Sequence, residues 1–368
     1  MSTNLFEPYR IGGLELENRF VRSATWDATA DSSGVVTDTS VALYRELARG
    51  RIGLIVSGYA FVSPLGQANP GQYSAHTDDM VPGLHRMVQV VHEGGGKIAL
   101  QIVHAGINSP YLSRKGITLQ AVSRIEEIST PHREMTGEEI ESLINDYVSA
   151  ALRGKEAGFD ALQLHAAHGY GMSQILSSFY NRRSDQWGGN AENRRRFHLE
   201  VVRRIRRAIG ADFPFMIKFG VKDDVEGGLS LAEGLETAQR MVEEGVDAIE
   251  VSAGAGGALL VMKKGKTEER APFRRRAAAA KQAVTVPVMV VCGIRSLEMA
   301  QSIVDSGDAD LISMCRPFIR EPGLVARWQR GEKDPATCIS CSKCLAVTAK
   351  GKPLVCVEER RLRKEAGH

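Results

Sequence analysis

Three side chains that can donate or transfer protons lie in the six-residue run H-A-A-H-G-Y, as His165, His168 and Tyr170. Two imidazoles can donate hydrogen bonds to a substrate oxygen and stabilise the negative charge that develops on it. A phenol, with a reference pKa of about 10, is suited to delivering a proton. The alternative is that the histidines only hold their loop together. Zinc is disfavoured, because the histidines do not form a helical i, i+4 pair and no carboxylate is close by.

A second cluster lies near the C-terminus and has the pattern Cys338-x2-Cys341-x2-Cys344-x11-Cys356. Four thiolates with this spacing can ligate a [4Fe–4S] cluster or a zinc ion, and a metal-free remnant is the third alternative. Disulfides are disfavoured, because a cytoplasmic location keeps thiols reduced. The remaining cysteines, Cys292 and Cys315, are predicted to be small core residues of strands.

The elements that position these residues follow one repeated pattern, in which a helix-like stretch ends at a glycine and a short apolar run follows. A glycine just past a helix end supplies the left-handed cap, and a short β-branched run is typical of a strand buried on both faces. Eight strands are predicted, within 18–24, 51–57, 97–103, 159–165, 214–219, 246–252, 286–291 and 310–314. The predicted helices are 38–50, 79–94, 137–157, 192–209, 230–245, 272–283, 296–307 and 321–330.

This alternation predicts parallel βαβ units, and the simplest closure is an α/β fold of the (β/α)8 TIM-barrel type. An open doubly wound sheet is the structural alternative, which is weakened because no G-x-G-x-x-G follows the first strand. We expect a barrel domain over residues 1–332 and a short Cys-rich extension over 333–368. The chemistry of such a barrel belongs at the C-terminal ends of the strands, where His165 is placed.

Composition excludes several functional classes. Among 368 residues, Lys+Arg is 47 and Asp+Glu is 44, so the net charge is +3, which argues against a protein dedicated to nucleic acids or membrane surfaces. No long apolar run or signal peptide is evident, so a cytoplasmic protein is expected. The arginine-rich stretch 194–207 is interpreted as the solvated face of an outer helix, and a nucleic-acid surface is the alternative.

Five segments carry a family resemblance: LFEPYRIGGLELENRFVRSA, IVSGYAFVSPLGQ, LQIVHAGI, LQLHAAHGYGMSQILSSFYNRRSDQWGGNAENRRRF and CGIRSLEMAQSIVDSGDADLISMCRPFIREP. Together they resemble the Old Yellow Enzyme family of FMN-dependent oxidoreductases. The resemblance extends over about 4–330. It implies a (β/α)8 barrel with bound FMN and NAD(P)H as the reductant. TCISCSKCLAV resembles the cluster-binding segment of long members such as dienoyl-CoA reductases and trimethylamine dehydrogenase. Because the chain stops 12 residues after Cys356, we expect the FAD- and NAD(P)H-binding domains of those members to be absent.

The resemblance also implies which residues hold the flavin. Gln101 supplies amide donors and acceptors to the pyrimidine ring, and Lys218 supplies the cation that stabilises the reduced ring. Gly58 is expected where a side chain would crowd the isoalloxazine. Gly293, Cys315 and Arg316 match the phosphate site, although glycine is usual at the position of Cys315.

The segment after the first strand departs from the family pattern, which has proline and then, two residues on, a threonine or cysteine beside flavin O4. Here the segment is Ser23-Ala24-Thr25-Trp26. Trp26 stands at the tuning position and is a candidate substrate contact. Ser23, Ala24 and Thr25 are expected to back the flavin, together with His165.

The function that the resemblance implies is ping-pong reduction of an activated C=C bond. NAD(P)H reduces FMN and leaves, and an α,β-unsaturated carbonyl, nitro compound or acyl thioester takes its place. His165 and His168 hold the substrate oxygen, and Tyr170 protonates the α-carbon. The expected partners are a small-molecule substrate and further copies of the chain, without nucleic acid or membrane. Alternatives are an FMN enzyme like tRNA dihydrouridine synthase and an electron-transfer protein centred on the C-terminal cluster.

Overall fold

The structure is a computed structural model that describes residues 4–256 and 271–366. Within these ranges, eight parallel strands form a closed barrel, because the last strand pairs with the first and each other strand pairs with its neighbours. This confirms the (β/α)8 prediction and excludes an open sheet. The strands are Phe20–Arg22, Leu54–Val56, Ile98–Val103, Ala161–Ala166, Phe215–Phe219, Ala248–Val251, Val288–Val291 and Leu311–Met314.

Outer helices alternate with these strands, close to where the sequence predicts them. Sequence-encoded caps fix several of their starts: Thr136 and Glu139 form a capping box, as do Ser230 and Glu233. The Ser296 side chain accepts a hydrogen bond from the amide of Met299. The helices are Asp38–Ala48, Val81–Glu93, Gly137–Glu156, Ala191–Ile209, Leu231–Glu243, Arg274–Ala283, Leu297–Asp305 and Leu324–Gln329.

The barrel interior changes from apolar to polar along its axis. An antiparallel hairpin, Tyr9–Ile11 with Leu14–Leu16, packs its apolar side chains against the N-terminal end of the barrel. The layer above the hairpin is apolar and contains Val21, Leu54, Ala99, Ala161, Met216, Ala248, Met289 and Leu311. The next layer toward the C-terminal ends of the strands carries polar side chains, and the site begins there.

Several short elements are present that the sequence analysis did not predict. Their two to six residues are too few to show a period of their own. The strands among them are Ala60–Phe61, Tyr73–Ser74, Leu119–Ala121 and His132–Glu134, and the helical ones are Pro64–Gly66, Asp78–Met80, Pro110–Arg114, Gly171–Leu176 and Arg316–Arg320. The glycine-rich run 252–258 is described only as far as residue 256.

The arginine-rich helix Ala191–Ile209 differs from its predicted description as a solvated face. Arg194 and Arg195 are buried and form ion pairs with Glu233 and Glu236 of the neighbouring helix. These pairs join adjacent outer helices, so the arginines hold the barrel wall together. The prediction of a solvated face is therefore wrong for this pair.

The C-terminal extension folds back onto the barrel as two helices, Lys343–Thr348 and Val357–Glu365. The amide of Leu354 donates a hydrogen bond to the carbonyl oxygen of Asp27 at 2.8 Å, and the amide of Ala336 donates one to Arg295. These contacts place the extension over the C-terminal ends of the strands. The division at residues 332 and 333 stays a prediction. None of the helices in the described ranges has the length and apolar character needed to cross a membrane.

Candidate active site

A cavity of about 460 Å³ opens at the C-terminal ends of the barrel strands. Three of the predicted site residues, Gly58, Gln101 and His165, are buried beside the cavity rather than lining it. The extension supplies part of the wall, including Cys344 and Leu354. The predicted site residues that line the cavity are Ser23, Ala24, Thr25, Trp26, His168, Tyr170, Lys218, Gly293, Cys315 and Arg316.

His165, His168 and Tyr170 meet at one point above the fourth strand. The ring centroid of His165 lies 5.0 Å from that of His168 and 4.9 Å from that of Tyr170, edge to face in both cases. His168 has a left-handed backbone, with φ of 61°, and its amide donates a hydrogen bond to the carbonyl oxygen of Ala253. The strained turn and this bond direct the loop across the barrel mouth.

Burial keeps all three groups uncharged. Burial lowers the pKa of His165 well below 6.5, and nearby His168 and Lys218 lower it further. Burial followed by the charge of Lys218 lowers the pKa of His168 to about 3. Burial raises the pKa of Tyr170. The site therefore presents neutral imidazoles and a phenol that retains its proton at neutral pH.

Local hydrogen bonds indicate which imidazole nitrogens can donate. Nδ1 of His165 accepts the amide hydrogen of Ala167 at 3.3 Å, so its proton resides on Nε2. Nε2 of His168 lies 2.7 Å from Oγ of Ser252, which also lines the cavity. When the serine donates in this contact, Nδ1 of His168 carries the proton. Each ring then has one N–H free to bind a substrate oxygen.

Tyr59 is a cavity residue that the sequence analysis missed. Its hydroxyl lies 3.4 Å from that of Tyr170 and accepts a hydrogen bond from Nδ2 of Asn69 at 2.8 Å. The rings of the two tyrosines lie 5.8 Å apart. The residue follows Gly58 directly, within a motif that the sequence analysis used only as a family match. Its position at the end of the second strand is the feature that could have identified it.

A buried polar network lies beneath the cavity, in the layer above the apolar one. Nζ of Lys218 donates a hydrogen bond to Oγ of Ser23 at 2.6 Å and lies 3.4 Å from a carboxylate oxygen of Glu250. Glu250 also accepts hydrogen bonds from Ser23, Ser313 and Gln163. Lys218 thus forms an ion pair and also lines the cavity.

Packing against protein atoms also requires a glycine at position 58. A Cβ at this position would lie 2.9 Å from Oδ2 of Asp27 and 2.9 Å from Cε2 of Tyr73. Its amide donates to the hydroxyl of Tyr44 at 2.6 Å. Protein atoms around this position therefore exclude a side chain, and the predicted crowding of the isoalloxazine stays a prediction.

The end of the cavity formed by the last two strands carries several polar groups. Oγ1 of Thr25 lies 2.9 Å from Sγ of Cys315. Cys292 and Cys315 are both half-buried and line the cavity, and Cys292 also packs against the hydrophobic core. The prediction that both are core residues of strands is therefore wrong for Cys315 and met only in part by Cys292. The reason is that each lies one residue beyond its strand, at the open end of the barrel.

Arginine side chains supply positive charge at the same end. Nη1 of Arg316 donates to the carbonyl oxygen of Ser340 and to Oγ of Ser342 in the extension. Arg295, which the sequence analysis did not single out, lines the cavity, and its buried Nε has no hydrogen-bond partner within the described ranges. A buried guanidinium nitrogen without an acceptor fits an anionic ligand group. Its position two residues after Gly293, a predicted phosphate-site residue, is the sequence feature that could have identified it.

All four cysteines of the extension line one small cavity of about 20 Å³ next to the main one. Cys338 is buried and Cys341 is exposed. Within residues 4–256 and 271–366, no group of three or more histidine, cysteine or carboxylate side chains is arranged to hold a metal ion. The predicted metal site is therefore a convergence of thiols without the geometry of a single-ion site.

Comparisons with known proteins agree with this geometry. The model of the NADH:flavin oxidoreductase / NADH oxidase family matches residues 4–334. An NADH oxidase of Thermoanaerobacter brockii is 35% identical over 92% of this chain, although the chain covers only 53% of that protein. An NADPH dehydrogenase of Geobacillus thermodenitrificans is 35% identical over 88% of this chain and 92% of its own length.

A solved structure of 2-naphthoyl-CoA reductase with 2-naphthoyl-CoA superimposes with a TM-score of 0.89 and 28% sequence identity. The match covers 96% of this chain and 56% of the reductase. The chain thus spans about half the length of the longer relatives that it matches and nearly all of the Geobacillus protein.

Proposed function

Since this chain belongs to the NADH:flavin oxidoreductase / NADH oxidase family, we propose that it is an FMN-dependent enzyme that uses NAD(P)H to reduce activated C=C bonds. The substrates are α,β-unsaturated carbonyl compounds or related nitro compounds and acyl thioesters. The observation that carries the proposal is the meeting of two neutral imidazoles and a protonated phenol at the mouth of the barrel.

The residues present fit FMN. The main cavity, of about 460 Å³, is within the range of cofactor sites. Two buried polar atoms without partners among the described residues, Oε1 of Gln101 and Nε of Arg295, are suited to a ring N–H and a phosphate. Lys218 and Ser23 would hold the ring, and Gly293, Cys315 and Arg316 would hold the phosphate, since all five line the cavity.

When bound, FMN supplies hydride transfer from NAD(P)H to the substrate β-carbon. His165 and His168 bind the substrate oxygen through their free N–H groups and stabilise the charge that develops there. Because both imidazoles are neutral, they act as hydrogen-bond donors without giving up a proton. Tyr170 holds its proton at the hydroxyl and delivers it to the α-carbon, with Tyr59 beside it.

The test is an anaerobic two-step assay of the purified protein reconstituted with FMN. We expect NADH or NADPH to bleach the flavin absorbance, and 2-cyclohexenone, a maleimide or a nitroalkene to restore it with formation of the saturated product. Failure to bind FMN, or a reduced protein that no activated alkene reoxidises, contradicts the proposal. A saturated ketone is the matched control and leaves the flavin reduced.

We also propose that the four cysteines of the extension hold a [4Fe–4S] cluster, because all four line one cavity, which shares Arg316, Ser342 and Cys344 with the main cavity. Such a cluster is held by four cysteine thiolates, and the extension supplies four cysteines. Anaerobic reconstitution with iron and sulfide is expected to give about four of each per chain. Zinc without sulfide, or no stable metal, contradicts this assignment.

A further inference from the structure

A chain of buried hydrogen bonds crosses the barrel interior beneath the main cavity. Nε2 of Gln101 donates to Oε1 of Gln163 at 2.6 Å, and Nε2 of Gln163 donates to Oε2 of Glu250 at 3.0 Å. These three side chains come from the third, fourth and sixth strands, and none is exposed. The chain ends at Gln101, whose Oε1 is buried with no hydrogen-bond partner among the residues that the structure describes.

The carboxylate at one end of this chain fixes the direction of every bond in it. Glu250 accepts hydrogen bonds through both of its oxygens, so Gln163 turns its NH2 group toward it. Its carbonyl oxygen then faces Gln101, which must supply its own NH2 group. The Gln101 amide is therefore held in one orientation, and its carbonyl oxygen remains available to accept a hydrogen bond.

The other oxygen of Glu250 is surrounded by hydrogen-bond donors and a cation. Its Oε1 accepts hydrogen bonds from the hydroxyls of Ser23 and Ser313, each at 2.7 Å. Nζ of Lys218 lies 3.4 Å from the same oxygen and balances its charge. Both oxygens of Glu250 therefore act as acceptors, and neither is left without a partner.

We propose that Glu250 and Gln163 are positioning residues that fix Gln101 as a hydrogen-bond acceptor for the N3–H of the flavin pyrimidine ring. That ring edge has a single N–H between two carbonyl groups, so an acceptor selects the N–H and a donor would select a carbonyl. A buried carbonyl oxygen without a partner is unfavourable, and the N–H of a flavin ring that reaches this layer beneath the cavity would satisfy it. This inference rests on the proposed FMN function and adds the residues that set the orientation of the amide.

The test compares two changes at Gln163, of which one removes the hydrogen-bond acceptor facing Gln101 and the other keeps it. Gln163→Leu removes both the donor and the acceptor. Gln163→Glu is the matched control. When protonated, the new acid donates its O–H to Glu250, and its carbonyl oxygen still accepts the hydrogen bond from Gln101. Glu250→Gln is the third variant, since an amide at this position can donate as well as accept and no longer forces one direction.

Apoprotein is titrated with FMN that carries 15N at N3, following quenching of flavin fluorescence and the 1H–15N signal of N3–H. In the native protein we expect a downfield N3–H proton. In Gln163→Leu the signal moves upfield and the dissociation constant rises about tenfold, as expected for the loss of one buried hydrogen bond. Gln163→Glu keeps the native signal and affinity, and Glu250→Gln moves the signal upfield. Melting curves of the apoproteins identify any variant that fails to fold.

Native N3–H shifts and affinities in both Gln163→Leu and Glu250→Gln overturn the inference while leaving the proposed function intact. A native apoprotein that binds no FMN contradicts the proposed function instead. An upfield shift in the Gln163→Glu control also overturns the inference, because that variant keeps the acceptor.

Discussion

Changing Tyr170 to phenylalanine separates proton delivery from every other role of this side chain. The phenyl ring retains the edge-to-face contact with His165 at 4.9 Å and the packing against Tyr59 at 5.8 Å. Only the hydroxyl is lost. Its hydrogen bond to Tyr59, at 3.4 Å, is long and contributes less than about 1 kcal/mol to stability. For a chain of this size, we expect the melting temperature to fall by no more than about 3 °C.

The kinetic effect is much larger and confined to one half-reaction. A positioned general acid contributes roughly 10²- to 10⁴-fold to a rate, which corresponds to about 3–5 kcal/mol of barrier. Anaerobic stopped-flow measurements should therefore show native flavin reduction by NAD(P)H. Reoxidation by 2-cyclohexenone should slow by at least about 100-fold. The pKa of Tyr170 is raised by burial, so this loss persists across neutral pH.

Tyr111→Phe is the matched control, because Tyr111 lies in the helix Pro110–Arg114 and does not line the main cavity. It should leave both half-reactions at the native rate. Native reoxidation in Tyr170→Phe refutes the role of this phenol as the acid. Equal slowing of both half-reactions refutes the separation of roles and indicates disturbed flavin binding.

Three other changes test other parts of the structure. Gly58→Ala should destabilise the fold by about 1–3 kcal/mol in chemical unfolding, because the new Cβ meets Asp27 and Tyr73, and native stability contradicts the packing argument. Arg295→Met should weaken FMN binding about tenfold or more but leave riboflavin binding unchanged, and equal losses for both contradict a phosphate role. Burial lowers the pKa of His198 from 6.5 to about 3, so folding is opposed as pH falls below 6.5 and the unfolded chain takes up a proton. His198→Leu should therefore be more stable relative to the native protein at pH 5 than at pH 8, by about 2 kcal/mol, and a pH-independent difference contradicts this.

The sequence by itself determined the fold class and the family, and both are confirmed. It could do so because the relevant information is local. A glycine at a helix end needs only its own left-handed backbone, as at Gly158 and Gly245, and a capping box needs only Thr136 and Glu139. The H-A-A-H-G-Y run likewise places three candidate site residues within six consecutive positions.

Only the tertiary structure decided which distant residues meet. Gln101, Gln163 and Glu250 join because closing the barrel places the same layer of several strands in one interior. Cys344 lines the main cavity because the extension folds back over the strand ends. Gly58 is constrained by Asp27, which lies on another loop. Contacts between residues far apart in sequence depend on the closed three-dimensional path of the chain, and no local pattern of residue types records that path.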